Sequence, residues 1–207
     1  MLLQLGDFAP NFTINTTKGV IDFYEYLGNS WAVLFSHPAN YTPVCTTELG
    51  ATAHLHAAFE ARNTKVIALS VDTVASHQNW IEDINETQSC TVNFPIIADT
   101  DKVVSNLYGM LHPNASETAT VRSVFIIGPD KKIKLTFTYP MSVGRNFNEI
   151  LRVIDSLQLS ASLPVSTPAN WQQGQEVIVG LAISTADAKN TFTTVREVKS
   201  YLRYAQI

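Results

Sequence analysis

The feature that most constrains the chain is a pair of short apolar runs, WAVLFS at residues 31–36 and VIALSV at residues 66–71, with a helix-length segment between them. Each run is compact and almost wholly apolar, the pattern of a strand in the middle of a sheet that is covered on both faces. The intervening residues 45–62 are rich in Ala, Leu and Glu and long enough to cross from one strand to the next as a helix. Strand, helix and strand in this order predict a βαβ unit.

The pattern continues downstream. Residues 74–86 predict a second helix, with Ser76 as its cap and Trp80, Ile81 and Ile84 on an apolar face. FPIIAD at 94–99 reads as a strand. Two apolar segments, 121–127 and 133–138, flank Gly-Pro-Asp-Lys-Lys and predict an antiparallel hairpin, so the sheet is mixed. Phe147, Ile150, Leu151, Ile154 and Leu157 then recur at helical spacing, an amphipathic helix suited to closing one face of the sheet.

The first domain is expected to span 1–159. Residues 160–168 (SASLPVSTP) have the composition of an extended linker, and 160–207 form an added C-terminal part with a strand-like run at 177–183 and a basic, aromatic end at 199–204.

Composition removes several function classes. Hydrophobic residues make up 45% of the 207 and charged residues 15%, which argues against disorder and against a coiled coil. The formal net charge is −4 and the 14 Lys and Arg are scattered, so the basic stripe that nucleic acid requires is missing. No apolar run approaches the roughly 20 residues of a membrane span. The start, Met-Leu-Leu-Gln-Leu-Gly-Asp, lacks the pattern of a signal or transit peptide, and a cytoplasmic location is the simplest expectation. Two cysteines, Cys45 and Cys90, are too few for a disulfide framework or an all-cysteine zinc site.

The chemistry therefore centres on what one thiol can do. A strand ending at Ser36, a short loop and a cysteine opening a helix place Cys45 where free backbone N–H groups and the helix dipole favour negative charge. Thr42 stands three residues earlier, where a first helical turn brings its hydroxyl near the sulfur. A thioredoxin-type reductase needs a second cysteine at that position, and Thr42 fills it instead. A cysteine phosphatase needs an arginine soon after the nucleophile, and Cys45 is followed by Thr-Thr-Glu-Leu-Gly-Ala.

The motif Pro38-x-x-x-Thr42-x-x-Cys45 resembles the active-site motif of peroxiredoxins, thiol peroxidases on a thioredoxin-like fold. The wider run from His37 to Gly50, together with Trp80–Ile84, Gly128–Lys132 and Gly144–Phe147, is similar to the one-cysteine, peroxiredoxin-6 class. The likeness reaches the tail at Thr167–Trp171 and Tyr201–Tyr204.

This resemblance implies a mixed central sheet flanked by helices, with a small C-terminal domain that packs on a second subunit in a homodimer. It also implies reduction of hydrogen peroxide and organic hydroperoxides, with Cys45 passing through a sulfenic acid. Cys45, Thr42, Pro38 and Arg122 are the catalytic set it implies, Pro38 shielding the thiolate from water. His37, Glu48 and Arg145 stand behind them. No bound cofactor is implied. The oxidised sulfur is reduced by an external thiol such as glutathione, with a glutathione transferase among the implied partners. Cys90 lacks any such setting and is expected to be a bystander rather than a resolving thiol.

Some peroxiredoxin-6 proteins also hydrolyse phospholipids through a serine in a G-x-S-x-G run with a histidine and an aspartate. Here the run is Gly28-Asn29-Ser30-Trp31-Ala32, and Tyr24 takes the histidine's place although Asp130 remains, so a base for Ser30 is lacking. A different class of reading, a redox-sensing binding protein whose assembly follows Cys45 oxidation, is separated from the peroxidase by the rate of that oxidation.

Overall fold

A computed structural model describes residues 3–207; Met1 and Leu2, at the start where no leader is expected, lie outside the described residues. The chain divides into two compact units, Met1–Phe147 and Asn148–Ile207.

The N-terminal unit opens with a hairpin, β1 (Thr13–Thr16) and β2 (Gly19–Asp22), which the sequence reading did not anticipate because both strands are short and half-polar. Gly19, at φ +97°, turns the chain between them. Asp22 then caps the short helix α1 (Phe23–Leu27) by accepting from the Glu25 N–H. β3 (Trp31–Ser36) is buried at every position, as its unbroken apolar run predicts. α2 (Pro43–His54) and α3 (His56–Glu60) occupy the crossover, so the single helix expected there is broken at Leu55.

β4 (Thr64–Ser70) pairs parallel with β3, Val33 opposite Val66, completing the βαβ unit. α4 (Val74–Gln88) is capped by Thr73, whose side chain accepts from the Ser76 N–H; Ser76 is the capped residue rather than the cap, because the helix begins two residues earlier. β5 (Ile96–Ala98), α5 (Val103–Leu107), β6 (Arg122–Ile127) and β7 (Ile133–Tyr139) follow.

The seven strands run in the order β2-β1-β5-β4-β3-β6-β7, with β3 parallel to β4 and antiparallel to β6. The sheet is mixed, as the predicted hairpin of β6 and β7 requires. One apolar cluster on it joins Phe12, Phe23, Leu34, Ile67, Tyr108, Phe125 and Ile127. Truncating a buried Leu or Ile of this kind to Ala costs about 2–5 kcal/mol.

In the C-terminal unit the serine- and proline-containing stretch is not a linker. α6 (Phe147–Ser162) continues into it, and β8 (Val165–Ser166) pairs at once with β9 (Val177–Val179). Composition misled there because Val165, buried, matters more to the packing than the serines around it. The strand expected over 177–183 ends at Val179, and Leu181 is exposed. α7 (Thr185–Thr191) is capped by Ser184, and β10 (Thr194–Lys199) and β11 (Leu202–Gln206) form a hairpin from the basic, aromatic end. This second sheet, β10-β11-β9-β8, has its own core of Val165, Trp171, Val177, Val179, Ala188, Phe192 and Ala205.

Candidate active site

The site begins where β3 ends. The loop from His37 to Thr42 leads the chain off the carboxyl end of a central strand, the place where open α/β sheets gather their chemistry. Thr42 is the N-cap residue of α2 and Pro43 follows inside the helix, an arrangement that suits proline because its missing N–H has no intrahelical partner there. The helix starts two residues before Cys45, which places the sulfur in its first turn. The Thr42 hydroxyl does not cap the helix; it donates to the Ala39 carbonyl at 3.0 Å. The hydroxyl proton is thus turned back into the loop, and the oxygen offers its lone pairs elsewhere.

Cys45 has no exposed surface. Arg122 Nη1 donates to its Sγ at 3.3 Å. The register of β3 against β6, with Phe35 opposite Val124, carries Arg122 to a point just beyond the end of β3. Nε and Nη2 of Arg122 both donate to the Met141 carbonyl, at 3.0 and 2.7 Å, which fixes the plane of the guanidinium.

Glu48, one turn after Cys45 on the same helix face, ties the arginines together. Its Oε2 accepts from Arg122 Nη1 at 2.6 Å and from Arg145 Nη2 at 2.6 Å. Its Oε1 accepts from the Nε of Arg145 at 2.8 Å and from the backbone N–H of the same residue at 2.9 Å. Arg145 Nη1 donates further to the Ser36 and Ser123 carbonyls, and its guanidinium lies 4.8 Å from the centre of the Phe35 ring. Burial pulls Arg145 below the usual arginine value, and its bonds to Glu48 oppose that pull.

All three charged groups are buried, and two guanidinium charges face one carboxylate. An uncompensated buried charge is costly. The remaining positive charge is directed at the sulfur of Cys45.

The other residues singled out in the sequence fall as follows. Pro38 is buried in the loop between β3 and Cys45. His37 is buried beside it, with Nε2 3.1 Å from the Asn40 amide and no hydrogen-bond partner for Nδ1 among the described residues. Burial, the neighbouring His77 and the two arginines hold His37 down at about 3. Cys90 is half-buried after the end of α4, its sulfur 3.9 Å from the Ile84 carbonyl and 4.0 Å from Asn85 Oδ1, and burial pushes its thiol above the ordinary value.

The positions that would carry lipid hydrolysis are occupied otherwise. The Ser30 hydroxyl donates to Asn63 at 2.8 Å, the Tyr24 hydroxyl to the Ala9 carbonyl at 2.6 Å, and Asp130 pairs with Lys134 at 2.6 Å.

Asn40 and His77 were missed in the sequence. A signal for His77 exists, since it shares the buried face of α4 with Trp80 and Ile84 at helical spacing; nothing local marks Asn40. Among the described residues no group of three or more His, Cys, Asp or Glu is placed to hold a metal, and no helix is long and apolar enough to cross a membrane.

Comparison with known proteins agrees with this geometry. Residues 5–136 match the AhpC/TSA family, and residues 156–194 match the C-terminal domain of 1-Cys peroxiredoxin. The chain is 50% identical to a 1-Cys peroxiredoxin of Dictyostelium discoideum over 202 residues, 97% of this chain and 84% of that one. It is also 50% identical to peroxiredoxin-6 of Mus musculus, over 98% of this chain and 96% of that one.

Among solved structures, the yeast mitochondrial 1-Cys peroxiredoxin superposes with a TM-score of 0.93 at 50% identity, covering 100% of both chains. A mutant of peroxiredoxin 6 from Arenicola marina superposes with a TM-score of 0.93 at 46% identity, over 99% of this chain and 98% of that one. With both units matched, and with half its residues shared with such relatives over nearly its whole length, the chain belongs to the one-cysteine peroxiredoxins of the AhpC/TSA family, which are thiol peroxidases.

Proposed function

We propose that Cys45 is the peroxidatic thiol and that Arg122, Thr42, Pro38 and the Glu48–Arg145 pair do the work around it. The observation that carries this reading is the 3.3 Å contact from Arg122 Nη1 to the sulfur, made by a guanidinium that already shares Glu48 with a second arginine. The sulfur, as thiolate, attacks one oxygen of a hydroperoxide; the S–O bond forms as the O–O bond breaks. Cys45 is oxidised to a sulfenic acid, and the other oxygen leaves as hydroxide or alkoxide and takes a proton to become water or an alcohol.

Fixed donors stabilise the charge that moves onto that oxygen. Arg122 is one, and the N–H groups of the uncapped first turn of α2 are others. The Thr42 oxygen, its own proton given to Ala39, accepts from the peroxide O–H. Pro38, buried beside the loop, keeps water from the sulfur. Glu48 and Arg145 hold Arg122 in place. His37 opens the same loop, and its buried Nδ1 has no hydrogen-bond partner among the described residues.

The reductant in this reading is an external thiol such as glutathione. It attacks the sulfenic sulfur, expels water and leaves a mixed disulfide that a second thiol resolves. Cys90 takes no part, and the protein needs no bound cofactor. The structure of the yeast relative concerns thiol resolution through the glutathione and thioredoxin systems, which supports such a donor here. A sulfur with no exposed surface is reached by a thiol of that size only when the first turn of α2 or the loop before it opens.

A homodimer and a glutathione transferase as thiol carrier belong to the same reading. In favour of the dimer, β7 is an edge strand with Phe137 and Tyr139 only half-buried, a surface that a second copy would cover. Elution of the native protein at monomer size would contradict it. Two unpaired thiols suit the cytoplasm, the location we favour, although the yeast relative is mitochondrial by name. Fractionation decides between them. The peroxidase reading itself is tested by thiol-dependent turnover of hydrogen peroxide by the Cys45→Ser protein, which is expected to show none; turnover equal to the unsubstituted protein would refute it.

A further inference from the structure

Two buried histidines, His37 at the start of the loop that leads to Cys45 and His77 on α4, share a single side chain. One terminal atom of the Asn40 amide lies 3.1 Å from His37 Nε2 and 3.0 Å from His77 Nδ1, while the other lies 2.9 Å from Ser76 Oγ. The remaining nitrogen of His77, Nε2, faces the Ile97 carbonyl at 3.1 Å. These contacts leave little freedom in where the protons sit.

A carbonyl only accepts, so His77 carries a proton on Nε2. A neutral imidazole has one N–H, and its Nδ1 is then an acceptor. With Oδ1 of Asn40 opposite it, acceptor would meet acceptor. A half-turn of the amide places Nδ2 there instead and satisfies every contact, because the Ser76 hydroxyl donates to the amide oxygen as readily as it accepts from the nitrogen. The two amide hydrogens then go to His77 Nδ1 and His37 Nε2. His37 Nε2 is an acceptor, and the His37 proton is left on Nδ1, the atom with no partner among the described residues.

Neutrality of both rings rests on their surroundings. Both are fully buried, and burial is the leading cause that holds His37 near 3 and His77 near 4. Arg145 and Arg122 reinforce it at His37. Asp72, which accepts from the Asn40 backbone N–H at 3.0 Å and from the Ser70 hydroxyl at 2.7 Å, pulls the other way on His77 and does not outweigh burial. Trp80 packs on His37 at 5.3 Å and brings no charge.

We infer that Asn40 and His77 are positioning residues of the peroxidase site, which together lock His37 in the tautomer with its proton on Nδ1. His37 is thereby a fixed hydrogen-bond donor, suited to an electron-rich oxygen and unable to serve as a base at that atom. The inference rests on the reading of Cys45 as the peroxidatic thiol for its link to catalysis; the tautomer itself does not.

The test is a two-bond nitrogen–proton correlation spectrum of the histidine rings in the reduced, ¹⁵N-histidine-labelled full chain at neutral pH. The expected spectrum shows His37 protonated on Nδ1 and His77 on Nε2. Asn40→Asp replaces the amide with an acceptor-only carboxylate, and the His37 proton is expected to move to Nε2. His77→Phe removes the acceptor that orients the amide, and is expected to bring in the Nε2–H form of His37; it decides the matter with the unsubstituted protein if Asn40→Asp does not fold. His37 protonated on Nε2 or on both nitrogens in the unsubstituted protein overturns the inference, as does a His37 signal unchanged in the variants. Loss of the peroxidase reading would show instead as turnover by Cys45→Ser, with these spectra unaffected.

Discussion

Cys45 and Cys90 lie in the same compact unit, and each sits at the end of a helix, yet the two ends are opposite. Cys45 is in the first turn of α2, toward which the helix dipole presents its positive end, and a guanidinium stands 3.3 Å from its sulfur. Cys90 follows the last turn of α4, the negative end, where its sulfur meets the Ile84 carbonyl and the Asn85 side-chain oxygen at long range. Burial does not separate them in the direction a simple rule suggests. Cys45 is the more deeply buried of the two, and what distinguishes it is the charge gathered around it.

Substitutions that break this contrast are expected to differ widely in effect. Cys45→Ser should abolish thiol-dependent peroxide turnover in a coupled assay. Glu48→Gln leaves two buried guanidinium groups without their carboxylate, and loss of one partner from a buried ion pair costs about 3–5 kcal/mol; chemical denaturation should report a destabilisation of that order. Arg122→Gln removes the donor nearest the reacting atoms and should slow oxidation of Cys45 by about 10²–10³-fold, read by stopped-flow under single-turnover conditions.

The histidine pair gives the Cys45 side a sensitivity to acid. His37 and His77 stay neutral when folded, with values near 3 and 4, but take up protons near pH 6.5 once unfolded. Unfolding therefore binds protons between about pH 4 and 6.5, so stability should rise with pH through that window and level off above it. Denaturant midpoints measured across the window check this, and a midpoint that falls as pH rises would contradict it. The smallest effect belongs to Cys90→Ser, expected to leave turnover with an external thiol unchanged, because no part of the proposed chemistry passes through that sulfur.

Much of this arrangement was legible in the residues. The unbroken apolar run of β3 announced a strand covered on both faces, and a helix opening near Cys45 followed from the strand, loop and helix order. Arg122 and Arg145 were not legible by themselves; a lone arginine in a sequence looks like surface charge, and only the resemblance raised them. What brings them to Glu48 is the register of β6 on β3 and the chain's return after β7, which no local pattern encodes.

The contact between Asn40 and His77 was invisible for the same reason, since it joins residues 37 apart in sequence. Residues 160–168 show the opposite failure. Their serines and prolines resemble a linker, but the backbone hydrogen bonds of β8 and the burial of Val165 decide their structure. The hairpin of β1 and β2 and the helices α5 and α7 are short, with too few periods for a pattern to stand out.

The central claim is that Cys45 is the sulfur that meets the peroxide. Its most direct test is to treat the reduced protein with one equivalent of hydrogen peroxide in the presence of a sulfenic acid trap such as dimedone, and then to locate the adduct by peptide mass spectrometry. The account predicts an adduct on Cys45 with Cys90 still a free thiol. An adduct confined to Cys90 would contradict it.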